Sequence, residues 1–189
     1  FHKAKKEHFL ARAVYKLDEI QKRNKLLRPG DRVLDLGAAP GSWLQLTSRI
    51  VGSKGMVIGI DIKSIDQSFP DNVALLKRDI FEPGFLEELA ALYAPFDVVL
   101  SDMAPATSGI RVADSARSAL LFEQALLAAR MMLKRNGHFL AKIFQGSDFH
   151  GLLQEVKKEF EHVKVVKPAA SRKQSKEVYI LAMRFRKTE

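Results

Sequence analysis

The sequence predicts one α/β domain: a doubly wound sheet, mainly parallel, with an antiparallel last strand. Three observations lead there. Strand-length apolar segments alternate with helix-length segments along most of the chain. Two of the strands, MVIGI and FDVVLS, are near-continuous apolar runs, as burial on both faces requires. The last candidate strand, EVYILAMRF, follows only a short loop after Val166, too short to hold a crossover helix, so it must pair antiparallel.

The elements follow in order. Phe9, Leu10, Ala13, Val14, Leu17 and Ile20 form one apolar stripe and predict a helix near 8–27. Strands are expected near 32–36, 56–61, 73–77, 96–101, 137–144, 162–167 and 177–185. Between them the pattern gives helices near 42–50, 84–93, 114–135 and 148–160. No repeat, low-complexity segment or linker interrupts the 189 residues, so residues 1–189 are expected to form a single domain.

Composition excludes several classes. There is no cysteine, which rules out disulfides and thiolate metal sites. The five histidines show no ligand spacing, so no metal is expected. The segment FHKAKKEHFLARAVYKL is charged and lacks the apolar core of a signal peptide, and no apolar run approaches the ~20 residues of a membrane span. The expectation is a cytoplasmic, monomeric protein without a membrane partner. The net charge of +9 is uneven: residues 1–30 carry +6, residues 151–189 carry +5, and the body between carries −2. Solvated surface faces would give such a pattern. Clustered Lys and Arg also gain from releasing counterions at phosphates, which points to a polyanion.

The stretch VLDLGAAPGSWLQL, residues 33–46, runs a strand into a glycine loop and a helix. In a doubly wound sheet the ligand sits at the carboxyl end of this first strand. The dinucleotide pattern G-x-G-x-x-G is absent; Gly37 and Gly41 bracket Ala-Ala-Pro, and Pro40 removes one backbone donor. A pyrophosphate wants free N–H groups and no adjacent carboxylate, yet Asp35 stands inside the strand. A cationic ligand without phosphate reverses that preference, and S-adenosylmethionine fits. Asp61 closes the next strand, where a carboxylate accepts from ribose hydroxyls. Asp79 closes the third, placed either to accept from an adenine amine or to make a turn. Trp43 in the first turn after Gly41 reads equally as helix core.

Asp102 in VVLSDMAPATSG ends the fourth strand, beside the glycine loop in this topology. The stretch lacks the aromatic with which amine-methylating enzymes stack a base, which leaves a hydroxyl or another acceptor. Lys142 lies inside the apolar strand GHFLAKIFQG. A buried lysine needs a partner or a purpose; the alternative is a side chain that snorkels past the strand end.

ARAVYKL, DLGAAPGSW, GIDI, SDMAP, KIFQG and SKEVYI fall in the order of the FtsJ-type ribosomal RNA ribose 2′-O-methyltransferases, which the chain resembles over nearly its whole length. The resemblance implies an S-adenosylmethionine-dependent Rossmann-like fold and a Lys-Asp-Lys-Glu tetrad at Lys16, Asp102, Lys142 and Glu177. It implies cofactor contacts at Gly41, Trp43, Asp61, Asp79 and Asp102. The compact form resembles bacterial members that methylate a uridine ribose in large-subunit ribosomal RNA. Lys16 and Glu177 are promoted by the resemblance alone; spacing gives a surface lysine and an edge charge. Two positions depart from the family pattern, Ala11 and Ala106, neither in the tetrad. Lys5, Lys6, Arg12, Arg172 and Lys173 are then expected to contact RNA phosphates, which fix position and not sequence. The alternatives are a methyltransferase acting on another RNA, a small molecule or a protein, and a non-catalytic RNA-binding ribosome assembly factor.

Overall fold

In a computed structural model, which describes residues 9–171 and 174–186, the chain forms a seven-stranded sheet with helices on both faces. The elements are α1 (Val14–Asn24), β1 (Arg32–Leu36), α2 (Ser42–Val51), β2 (Met56–Asp61), β3 (Val73–Lys77), α3 (Phe85–Tyr93), β4 (Phe96–Ser101), α4 (Arg111–Met132), β5 (Leu133–Phe144), α5 (Phe149–Glu159), β6 (Phe160–Val166) and β7 (Glu177–Phe185). The strand order is β3-β2-β1-β4-β5-β7-β6. The pairs among β1 to β5 are parallel, while β7 runs antiparallel to both neighbours, β5 and β6.

Period-two alternation divides the strands between two cores. On one face Leu34 and Leu36 of β1, Phe139, Ala141 and Ile143 of β5, and Val178 and Ile180 of β7 pack against α3, α4 and α5. On the other, Val33, Leu140, Tyr179 and Leu181 meet Leu17 and Ile20 of α1 and Trp43 and Leu44 of α2. The same alternation puts Asp35, Lys142 and Glu177 on this second face, under α1 and α2.

Three elements differ from expectation. α1 begins at Val14 and not near residue 8; turns occupy the residues just before it. α4 runs from Arg111 to Met132, three residues earlier than its pattern suggests at both ends. β5 follows at once, because Leu133 is already extended, and the strand begins ahead of its expected start near 137. Asn136 takes φ 64° there, and the β4–β5 register shifts between Phe96 and Val98. Asparagine tolerates the left-handed region, so the sequence can carry this irregularity without breaking the strand.

Candidate active site

The loop after β1 has no backbone donors to offer an anion. The Gly37 and Ala38 N–H groups both donate to the Ile60 carbonyl, at 2.9 and 3.0 Å. Ala39 N–H donates to Asp61 Oδ2 at 2.9 Å, and Gly41 N–H to the Ala38 carbonyl at 2.7 Å. Pro40 has none. These N–H groups are spent within the protein and are not aimed at a phosphate, in contrast to a dinucleotide loop.

Beside the loop lies a cleft of about 400 Å³, lined among others by Leu36, Gly37, Asp61, Asp79, Asp102 and Met103. Its wall carries three carboxylates against Lys63 and Arg78, and Arg78 is engaged by Glu82 at 2.6 Å and Glu88 at 3.4 Å. Asp61 keeps acceptor capacity beyond its backbone donors at Ala39 and Lys63. Asp79 makes the turn the sequence allowed, its Oδ1 accepting from Phe81 N–H at 3.0 Å, and it also lines the cleft. Such a wall favours hydroxyls, amines and positive charge.

Gly41 and Trp43 lie away from the cleft wall. A Cβ at Gly41, where φ is +102°, would come within 2.6 Å of Phe69 Cζ and 3.2 Å of Leu10 Cδ1, so this glycine admits a close approach of side chains. Trp43 is buried, and its indole N–H donates to the Ala13 carbonyl at 2.9 Å, tying α2 to α1. Asp35 is fully buried beneath the loop.

Where β4 ends, Asp102 N–H donates to the Leu36 carbonyl at 3.1 Å, which fixes the residue at the crest of the sheet. From β5, Lys142 Nζ donates to the Asp102 carbonyl at 2.5 Å and to Oδ1 at 3.0 Å. Lys142 is 6% exposed; it does not snorkel to solvent. From β7, the Tyr179 hydroxyl donates to the same Oδ1 at 2.6 Å. Two residues earlier on the same face, Glu177 Oε1 takes Lys16 Nζ at 2.6 Å and the Ser171 hydroxyl at 3.1 Å. Lys16 Nζ also stands 5.9 Å from the Tyr179 ring centroid. The four positions expected to form a tetrad thus make two lysine–carboxylate pairs with Tyr179 between them, and Asp102 belongs to one pair and to the cleft.

A family model for FtsJ-like methyltransferases matches residues 9–185 of the 189. The chain belongs to the FtsJ-like methyltransferase family. Among the relatives of this FtsJ-like methyltransferase, the protein of Syntrophobacter fumaroxidans named Ribosomal RNA large subunit methyltransferase E is 64% identical over 188 residues, covering 100% of this chain and 95% of the relative. The protein of that name from Bdellovibrio bacteriovorus is 46% identical over 191 residues, covering 97% and 94%. A crystal structure of a candidate ribosomal RNA methyltransferase from Plasmodium falciparum shares 26% identity at a TM-score of 0.82, over 95% of this chain and all 100% of that one. The fibrillarin of Aeropyrum pernix, at 16% identity and a TM-score of 0.62 over 90% of this chain and 74% of that one, shares the fold.

Tyr179 is the residue of this FtsJ-like methyltransferase that sequence reasoning missed. A tyrosine in an apolar strand reads as core, and only the register that sets it opposite Lys142 reveals its hydroxyl's partner. Burial, then the Asp102 and Glu177 charges, push its phenol well above the ordinary value, so it stays a neutral donor. Tyr179→Phe is expected to lower kcat about tenfold, the scale of one hydrogen bond to a charged group, with cofactor affinity unchanged. Steady-state kinetics beside a binding titration check this; a loss of affinity with kcat intact would contradict it. Of the expected RNA contacts, Arg12 is exposed just before α1, while Lys5, Lys6, Arg172 and Lys173 lie outside the described residues. At the two family departures, the Ala11 and Ala106 carbonyls accept from Val14 N–H and the Arg117 guanidinium, contacts that need no particular side chain at either position.

Proposed function

We propose that this protein transfers the methyl group of S-adenosylmethionine to the 2′-hydroxyl of a uridine ribose in large-subunit ribosomal RNA. One observation carries the proposal furthest: Asp102 lines the cleft and, 3.0 Å away, holds Lys142. The cleft suits the cofactor. Its loop has no donor for phosphate, Asp61 and Asp79 present acceptors for ribose hydroxyls and an adenine amine, and Asp102 with the buried Asp35 favours a cation. When bound, S-adenosylmethionine supplies a methyl group already activated on a sulfonium.

The chain's task is to place the hydroxyl and remove its proton. In its amine form Lys142 gives both N–H groups to the two Asp102 oxygens and keeps its lone pair. That lone pair would take the 2′-hydroxyl proton, leaving the oxygen to accept the methyl group that S-adenosylmethionine, held by Asp61, Asp79 and Asp102, would supply. The ammonium so formed keeps the same two acceptors, so Asp102 stabilises the result. Lys16 and Glu177, on the α1 side, position the sugar. Because the acceptor is the 2′-hydroxyl, RNA is chosen over DNA by the chemistry itself.

Arg12, with Lys5, Lys6, Arg172 and Lys173, would hold the phosphates, and the protein would act as a monomer on ribosomal RNA in the cytoplasm, within the large subunit. Under this proposal, incubation with methyl-labelled S-adenosylmethionine and large subunits from cells lacking the modification puts the label in the RNA. Label in ribosomal protein would refute it in favour of a protein methyltransferase, and no label despite cofactor binding would refute it in favour of the assembly factor.

A further inference from the structure

Asp35 is a buried titratable group to which the chemistry above gives no proton. It lies on β1, on the face it shares with Val33, and is 0% exposed. Neither Oδ1 nor Oδ2 has a hydrogen-bond partner among the described residues. Its cross-strand neighbours are Gly59 and Leu100. Across that face α2 buries Ser42, Trp43, Leu44, Thr47, Ser48 and Val51, none of them charged. The charges that reach Asp35 are those of Asp102 and Asp61, at the ends of β4 and β2, and both are negative. Lys142, which β5 places on this face, is already paired with Asp102.

An unpaired anion buried among carboxylates is strongly disfavoured, so the carboxyl keeps its proton. Burial first, then Asp102 and Asp61, drive it well above the ordinary carboxylate range. A cation arriving in the cleft that Asp61 and Asp102 line would change that balance. The methyl donor carries a sulfonium; the product is the same molecule with a neutral thioether.

We infer that Asp35 senses the charge of the cofactor: it is protonated beside a cofactor-free cleft, releases its proton to solvent when the sulfonium binds, and recovers it once the sulfur is neutral. The inference rests on S-adenosylmethionine being the cofactor. It makes binding tight for the donor and weak for the spent product, which speeds turnover. By linkage, donor affinity rises with pH by up to tenfold per unit while product affinity stays flat.

Calorimetric titration in two buffers of different ionisation enthalpy, between about pH 6 and pH 8, reads the proton count directly. Wild type is expected to release about one proton on binding S-adenosylmethionine and close to none on binding S-adenosylhomocysteine. Asp35→Asn should release none with either, and its preference for donor over product should fall about tenfold. Asp61, Lys63, Arg78, Asp79 and Asp102 line the cleft and Lys142 holds Asp102, and this variant separates any proton exchanged there from that of Asp35. Equal release with both ligands, or release unchanged in Asp35→Asn, overturns the inference. Binding of the donor without proton release overturns the inference alone; no binding of the donor overturns the cofactor assignment with it.

Melting curves add an independent reading. The folded chain holds a proton at Asp35 that the unfolded chain loses above the ordinary carboxylate value, so this group's contribution to stability declines as pH rises. The melting temperature of Asp35→Asn relative to wild type should therefore climb with pH. A flat difference contradicts the protonated state.

Discussion

Lys142→Ala is expected to lower kcat by about a thousandfold, within the range that a positioned general base contributes. Cofactor affinity should change little, because Lys142 faces α1 and α2 and is not part of the cleft wall. The fold should survive: Asp102 keeps its hydrogen bond from Tyr179 and its backbone bond to Leu36. Lys142→Arg should not rescue activity. A guanidinium has no lone pair to take a proton and stays charged at any working pH. Single-turnover methyl transfer, measured beside a cofactor titration, checks both variants. Near-normal turnover in either one would remove Lys142 from the chemistry.

Gly37→Ala is expected to be the most damaging single-methyl change near the site. Gly37 has φ +76°, a region that costs another residue about 1–2 kcal/mol. Its Cβ would stand 2.7 Å from Met103 Cγ, 2.9 Å from Met103 N and 3.0 Å from Met103 Cα. A side chain could move aside, but the backbone of Met103 is tied to Asp102, whose N–H holds the Leu36 carbonyl. The clash therefore shifts the very carboxylate that joins the cleft to Lys142. Strain and overpacking together amount to roughly 3 kcal/mol, or a melting temperature lower by about 10 °C. Methyl transfer should fall at least as far as in Tyr179→Phe. Gly30→Ala is the control, with φ +87° and nothing within 4 Å of its Cβ. It carries the strain alone and should leave cofactor affinity and kcat intact. Equal effects from the two substitutions would show that backbone strain, and not the contact with Met103, governs the loop.

Much of this site could be read from the sequence because its residues sit at strand ends, and strand ends are what period-two patterns and turn signals mark. Asp61 closes β2 and Asp102 follows directly on β4, at the expected residues. Lys142 stood out by being charged in an apolar run. What was hidden depends on the sheet order. β7 enters between β5 and β6, and only that insertion sets Tyr179 opposite Lys142 and Glu177 opposite Phe144. Lys16 and Glu177 are 161 residues apart in sequence and 2.6 Å apart in space, and nothing local to either announces the other. The glycine loop shows the reverse case. Its composition argues against a phosphate site, and the hydrogen bonds from Gly37, Ala38, Ala39 and Gly41 supply the physical reason. Trp43, expected at the cofactor, also ties α2 to α1 through its N–H to the Ala13 carbonyl and sets its ring beside Tyr179.

The most direct test of the central claim is alkaline cleavage of ribosomal RNA treated with the protein and S-adenosylmethionine. Alkali cuts RNA through the 2′-oxygen, so a methyl group there blocks one bond and no other. The prediction is a single new resistant position, at a uridine of large-subunit RNA, formed by wild type and not by Lys142→Ala. RNA that carries the transferred methyl yet cleaves at every position would place the methyl on a base and contradict the account.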